Sequence, residues 1–574
     1  MAMSYRFVAL AAVPAKVYYG VGSKAAAVAA GGAGAQLVDL RGRTLLPGFV
    51  DSHGRVLLAA HTLMNTNLEG VKDIPELQAR LRAHAATLPA GAWIEGMGYR
   101  SPQMREGRHP TKEELDAVSS TIPIDGSGHH GAGNSALLKA MKFGPDTPDP
   151  EGGVIYRKAG SKEPDGHLAE AAVMMALATK PALSKERARE GVRRAVKTWL
   201  ENGYTTANEQ GLGLAADDAD IARLIIDEKL LPLDLVVYAK YSAALSAAKV
   251  AAQISEDYPA KQAAQDGPRY VNRVRAEGVK FWMDGSIPTA LRLKPYAKNP
   301  VGVTDKDYKG VQVDPTKDVE TTTARFWKNG TVQIAAHALG DGAIEVVLRA
   351  MEKAYKAQGP TAKRHALQHA AMITPGQVAR IAKLGVIPSF TPGSIYLIGD
   401  YITELHGKEV HSFTKLGVPW TINTDYPAGA GPNALLSVQD IVNRATKAGR
   451  VLGPEQRVSP YEALKGLTIN GAYLHNEEKR KGTIQVGKLA DLVIVDKNPL
   501  KVPKSEIMDI KVLETIKEGR SVYRRPQDAL PPPPLPKVKG DELELDDTSG
   551  FVAPKLTPGQ QDTLGELFAG GKQA

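Results

Sequence analysis

The sequence predicts an α/β fold: a parallel sheet closed as a (β/α)8 barrel, joined by a small β-domain that both chain ends build and by an inserted subdomain. Three observations predict it. Apolar strands alternate with amphipathic helices through the middle of the chain, a repeat that favours a parallel sheet wrapped by helices. Short strand-turn-strand patterns stand near both ends. The stretch from about 62 to 175 is longer than one βα unit, so it reads as an insertion after the first barrel strand. The expected organisation is 1–47 and 476–525 for the two parts of the β-domain, 48–475 for the barrel, and 526–574 for a linker and tail.

The elements follow in order. Residues 16–47 are rich in Ala, Gly and Val and end in the strand-turn-strand pattern of 36–44. Leu45 to Val50 reads as one apolar strand that stops abruptly at Asp51-Ser52-His53-Gly54-Arg55. Val192, Ala195, Val196, Trp199 and Leu200 fall at helical spacing, stop at Gly203 and lead into a strand from Tyr204. Thr331 to Ala336 is an apolar strand that reaches His337, after which Asp341 is expected to cap a helix with Ile344, Val347, Leu348 and Met351 on one face. Val386–Phe390 and Val418–Ile422 are further short strands, and 482–496 and 512–523 are the late β-rich stretches. From Pro526 the composition changes. Leu530 to Pro536 is a stiff polyproline stretch, followed by an acidic segment and a short helix near 560–568, together a solvated tail.

Composition excludes several classes. The net charge of +9, from 72 basic against 63 acidic residues, is mild over 574 residues and no dense basic block carries interleaved aromatics. Nucleic acid is therefore not an expected partner. With no cysteine, disulfides, thiolate catalysis and Cys-ligated zinc are ruled out. No apolar run approaches the roughly 18 residues of a membrane span. Residues 1–15 form a weak signal-like pattern, with one positive charge, an apolar stretch and small residues at its exit. The cytoplasm is the expected location, with the periplasm or secretion as the alternative.

Barrel enzymes carry reactive side chains at the C-terminal ends of their strands. His53, His337, His369 and Asp425 stand at such ends, and Lys280 in Val279-Lys280-Phe281-Trp282-Met283-Asp284-Gly285-Ser286 adds a fifth. Imidazole and carboxylate are the ligands zinc takes where no thiolate exists. Singly, each has a plainer explanation: a His beside an apolar strand is more often a hydrogen-bonded core residue, Lys280 a salt-bridged lysine, Asp425 a cap. Five such groups on five separate strands can converge on one point.

Several segments carry a family resemblance: Leu46-Pro47-Gly48-Phe49-Val50-Asp51-Ser52-His53, Gly128-His129-His130-Gly131 with Asn134-Ser135, and Asp146-Thr147-Pro148-Asp149-Pro150. Val279 to Ser286, His337 to Ala343, Gln368-His369-Ala370, Thr424-Asp425 and Gly487 to Val493 complete the set. Over roughly 36–525 the chain resembles the YtcJ-like, amidohydrolase-3 branch of the amidohydrolase superfamily, which includes N-substituted formamide deformylases. The resemblance implies a composite β-sandwich around the barrel and a centre of one or two Zn2+ ions, with Mn2+ or Ni2+ as alternatives. Its ligands would be His53, a carboxylated Lys280, His337, His369 and Asp425. Arg55 stands where the second histidine of a His-x-His ligand pair is expected, and Gln368 where a Glu usually precedes the histidine. Arginine stays protonated and offers no lone pair, so it cannot replace that ligand.

The function implied is hydrolysis of a C–N bond, amide or formamide in type, in a small molecule. Asp425 would take the proton of a metal-activated water and return it to the leaving amine, with His337 the other catalytic residue. His129 or His130 would bind substrate or the developing oxyanion, or simply hydrogen-bond within a loop, and Arg55 is a further substrate-binding candidate. The resemblance also admits a homodimer. The alternative is a barrel impaired by Arg55 that serves as a binding or structural protein.

Overall fold

The computed structural model describes residues 7–10, 36–88, 92–119, 121–123, 129–241, 270–271, 273–297, 299, 303, 305–328, 332–400, 409–429, 431–485 and 487–526. The polyproline stretch and the helix expected near 560–568 lie outside the described residues, as do most of 1–35.

Eight parallel strands form the barrel: β1 (Phe49–Val50), β2 (Tyr204–Leu212), β3 (Asp234–Lys240), β4 (Val274–Trp282), β5 (Gln333–Ala338), β6 (Ala366–His369), β7 (Ile387–Phe390) and β8 (Thr421–Ile422). They lie in sequence order across one curled sheet, with β1 and β8 at its two ends. Side chains join those ends. Ser52 Oγ donates to the Ile422 carbonyl at 2.8 Å, and the Asp51 carboxylate accepts the Thr424 N–H at 3.1 Å and the Thr424 hydroxyl at 2.7 Å. The Asp425 N–H donates to the His53 carbonyl at 2.9 Å. Trp199 Nε1 donates to the same Asp51 carboxylate at 2.8 Å, so the helix outside β1 is fastened to the seam.

The helices wrap the sheet as their periodicity requires. Lys185–Glu201 starts at Ser184, whose hydroxyl accepts the Arg187 N–H, and buries Val192, Ala195, Val196, Trp199 and Leu200. Asp341–Gln358 buries Ile344, Val347, Leu348 and Met351 against the barrel. Asp341 does not cap that helix as expected. Gly340 is the cap, and the Asp341 carboxylate accepts the Leu293 N–H and Arg292 Nε instead, tying in the loop after β4.

The apolar run 45–50 is not one strand. It breaks at Gly48 into Thr44–Pro47, which belongs to an outer sheet, and β1. A Cβ at Gly48 would sit 2.4 Å from Thr205 Oγ1, so only glycine lets the chain pass from one sheet to the other. The outer sheet is antiparallel, in the order Arg520–Arg524, Val512–Lys517, Leu492–Val495, Thr44–Pro47, so the two chain ends do join. A separate hairpin-like pair is formed by Phe7–Leu10 and Gln36–Asp39. Among the described residues of the expected 482–496 stretch, only Leu492–Val495 are strand, and Gly482 and Gly487 both hold φ near +92° and break the extended run.

Buried charges bind this outer sheet to the barrel floor. Lys481 Nζ lies 2.6 Å from Asp234 and 2.7 Å from Glu477, while Lys517 Nζ lies 2.8 Å from Asp491 and 2.9 Å from Asp234. After β1 the insertion builds two small sheets. One is parallel, from Thr66–Asn67, Ile94–Met97 and Thr121–Pro123; the other is antiparallel, from His130–Ala132, Pro164–Glu170 and Gly153–Arg157. Each packs its own apolar cluster. Among the described residues no helix is long and apolar enough to cross a membrane.

Candidate metal centre

The barrel strands bring all five of the expected groups together. One ligand atom each from His53, His369 and Asp425 lies within 4.8 Å of the others. His337 joins them edge-on, its ring centroid 4.5 Å from that of His369, and His53 lies 4.9 Å from His369. Lys280 Nζ reaches within 3.4 Å of His53 Nδ1. All five residues are buried, and Asp425 is the most open of them at 8% exposure. His369, Ala370 and Asp425 carry positive φ of 72°, 44° and 47°, backbone strain that collects where side chains are held for function.

Hydrogen bonds fix which nitrogen of each ring is available. His337 Nε2 donates to the Gly285 carbonyl at 3.1 Å, an atom that can only accept, which leaves a lone pair on Nδ1. His369 Nδ1 lies 2.7 Å from Thr391 Oγ1, whose hydroxyl hydrogen goes to Asn423 Oδ1, so Nε2 of His369 keeps its lone pair. His53 Nδ1 meets Gln210 Oε1 at 2.6 Å, and the Gln210 amide nitrogen donates to the Ser52 carbonyl, which sets the amide's orientation. Nδ1 of His337 and Nε2 of His53 and His369 have no hydrogen-bond partner. His53 Nε2 nevertheless faces Asp425 Oδ1 at 3.0 Å. A lone pair opposed to a carboxylate oxygen at that distance is repulsive unless a cation lies between them. Three oriented imidazoles with outer-face partners and one carboxylate therefore fit a divalent ion of the zinc type.

Electrostatics agree. Burial, then the Lys280 charge, push His53 down to about 4. Burial also holds His337 and His369 well below the usual imidazole range, so all three rings are neutral at neutral pH. Burial and Arg55 hold Lys280 well below its ordinary value. Burial opposes the Asp425 charge, but Arg55 outweighs it and keeps the carboxyl well below the carboxylate range.

Arg55 lies inside this cluster. Its Nη2 is 3.3 Å from Asp425 Oδ1 and its guanidinium sits 5.9 Å from the Trp282 ring centre, with Lys280 Nζ 5.4 Å from the same ring. Arg55 is fully buried, and none of its side-chain nitrogens makes a hydrogen bond. The two histidines of the insertion part company. The His129 ring lies 5.3 Å from that of His337, whereas His130 turns to His109 and His167.

Two supporting residues escape a reading of the sequence. Gln210 orients His53 and accepts from Lys280 Nζ at 3.2 Å. Glu170, buried and at φ +54°, accepts His129 Nδ1 at 2.7 Å, the Ser286 N–H at 3.1 Å and the Thr289 hydroxyl. Burial opposes the Glu170 charge, but His129 outweighs it and holds the carboxyl below its usual value. The run Asn208-Glu209-Gln210 marks a polar stretch within strand β2, but nothing local to it names His53 as the partner.

Residues 36–523 match the model of the amidohydrolase family. The chain is 28% identical to an N-substituted formamide deformylase of Arthrobacter pascens over 86% of its own length and 90% of the relative's. It is 25% identical to the putative amidohydrolase YtcJ of Bacillus subtilis, over 85% and 90%. Among solved structures, an uncharacterized metal-dependent hydrolase of Pyrococcus horikoshii superposes with a TM-score of 0.61 at 24% identity, covering 82% of this chain and 89% of that one.

Proposed function

Because the chain belongs to the amidohydrolase family, we propose that it is a metal-dependent hydrolase that cleaves a C–N bond, amide or formamide in type, in a small-molecule substrate. The observation that carries this reading is the set of three imidazole lone pairs turned inward beside an ionised carboxylate. His53, His337, His369 and Asp425 would hold the ion, with zinc the first choice for such donors and manganese or nickel the alternatives. A bound divalent ion would supply Lewis acidity, polarising the scissile carbonyl and acidifying water.

The protein's own groups do the rest. Asp425, ionised and the most exposed of the cluster, takes a proton from the attacking water and returns it to the departing amine. His129, steadied by Glu170, stands on the His337 side to meet the carbonyl oxygen or the substrate. Burial and Arg55 lower the Lys280 pKa, which favours the neutral amine that adds CO2, and its carbamate would answer the donors of Arg55.

One observation favours the second reading, a barrel impaired in catalysis that binds rather than cleaves: Arg55 already gives Asp425 a cation partner. Elemental analysis of full-length protein purified without chelator separates the two. A near-stoichiometric divalent metal, with Asp425→Asn lowering kcat on formamides about 10²- to 10⁴-fold, is the expected result. Less than about a tenth of an equivalent of zinc, manganese or nickel, against the full site that three ligands and water make, would overturn the enzyme reading.

A further inference from the structure

A line of hydrogen bonds runs from His369 away from the metal centre and ends at the barrel seam. His369 Nδ1 lies 2.7 Å from Thr391 Oγ1, Thr391 Oγ1 lies 2.6 Å from Asn423 Oδ1, and Asn423 Nδ2 lies 2.8 Å from Ser389 Oγ. Ser389 Oγ meets Ser52 Oγ at 3.0 Å, and Ser52 Oγ reaches the Ile422 carbonyl at 2.8 Å. Ser52, Ser389 and Asn423 are all buried. The line touches the ends of β1, β6, β7 and β8, so it ties a ligand ring to the two strands that close the barrel.

Chemistry fixes the direction of every proton along it. The Ile422 carbonyl only accepts, so the single hydroxyl hydrogen of Ser52 points there and Ser52 Oγ accepts from Ser389. The Ser389 hydrogen is then spent, and Ser389 Oγ accepts from the Asn423 amide nitrogen. That nitrogen also faces the Ser389 carbonyl at 3.0 Å and Gln368 Oε1 at 3.5 Å. The amide therefore cannot turn over, and Asn423 Oδ1 is left to face Thr391. Thr391 gives its hydrogen to that oxygen and accepts from His369 Nδ1. A neutral imidazole carries one N–H, and with that proton on Nδ1 the Nε2 lone pair stays bare. The ring needs such a hold: at φ 72° the His369 backbone has left the extended range, so the strand's pleat does not by itself aim the side chain.

We propose that Asn423 is a positioning residue of the metal centre, the link through which closure of the barrel seam selects the Nδ1–H tautomer of His369 and with it the ligating nitrogen; this rests on His369 being a ligand of the proposed centre. With Asn423 Oδ1 gone, the Thr391 hydroxyl can turn its hydrogen onto His369 Nδ1, which moves the ring's proton to Nε2 and blocks the lone pair meant for the ion.

The tautomer is read in metal-stripped full-length protein by long-range 1H–15N correlation after histidine labelling, with the His369 signals assigned by their loss in His369→Gln. Zn2+ affinity is measured beside it by competition with a chromophoric chelator. Wild type and Thr391→Ser are expected in the Nδ1–H form. Asn423→Leu and Thr391→Val are expected to shift toward Nε2–H and to bind Zn2+ about 10- to 100-fold more weakly, the usual loss when the group behind a ligand is removed. An Nδ1–H signal that persists unchanged in Asn423→Leu, or an Nε2–H form in wild type, overturns the assignment. If the tautomer shifts as expected while Zn2+ affinity is equal throughout, the hold of Asn423 on the ring stands and the reading of His369 as a ligand falls. Thr391→Val against Thr391→Ser decides if Asn423→Leu folds poorly, and equal His369 spectra in those two overturn the assignment as well.

Discussion

Arg55 sets the terms at the scale of single residues. A guanidinium cannot shed its proton at any pH a protein survives, so its charge is a permanent fixture within 3.3 Å of Asp425. It takes up part of the negative potential that a second metal ion near His53 and Asp425 would need, while Nδ1 of His337 and Nε2 of His369 make no hydrogen bond. On the proposed reading, the barrel centre then takes one ion rather than two. Arg55→His should therefore raise metal content from about one equivalent toward two and raise the amidase rate. Elemental analysis beside a formamide assay checks it, and unchanged values in both would count against the ligand assignment.

Among the elements, β2 shows how one strand serves two compartments. Successive side chains point to opposite faces, so Gln210 turns into the barrel to orient His53 while Glu209 turns outward and accepts the Leu57 N–H at 2.7 Å. Burial, then Asp218, push the Glu209 carboxyl up to about 8. The folded protein thus binds a proton at Glu209 that the unfolded chain, near 4.5, has lost, and stability contributed by this group falls as pH rises from about 4.5 to 8. Glu209→Gln keeps an acceptor for Leu57 and removes the titration. Urea unfolding between pH 5 and 9 should show a flatter profile and a more stable variant at the alkaline end; parallel profiles would refute the assignment. Most barrel strands and the residues at their ends were legible because short apolar runs between amphipathic helices and strand-end placement are local, whereas Asp234–Lys240 was not singled out. Gln210, Glu170 and the pairing of His130 with His167 were not, since each depends on contacts between residues far apart in sequence. Gly48 escaped for a related reason: the run 45–50 is continuously apolar because two different sheets both bury it.

For the whole molecule, the question is what keeps a sheet built from both chain ends seated on the barrel. Apolar contacts contribute, but the specific fastening is a row of buried charges: Glu477, Lys481, Asp234, Lys517 and Asp491. Burial opposes the Glu477 charge, yet Lys481 and Arg275 outweigh it and hold the carboxyl down at about 2. A carboxyl held below its unfolded value of 4.5 contributes stability that is complete above that pH and is lost as pH falls from 4.5 toward 2. Replacing such a pair by matched apolar residues is often harmless, whereas removing one partner strands the other in a medium that cannot solvate it. Lys481→Met takes from Glu477 its nearer cation, leaving Arg275 at 3.7 Å, and takes one of two lysines from Asp234. It should lower unfolding free energy at pH 7 by about 3–5 kcal/mol and weaken the acid dependence below pH 4.5, because Glu477 then no longer titrates far below its unfolded value. Guanidinium unfolding at pH 7 and pH 4 reads both effects. A loss under about 1 kcal/mol, the range of exposed ion pairs, would mean that the charges ride on a seam held by apolar packing alone.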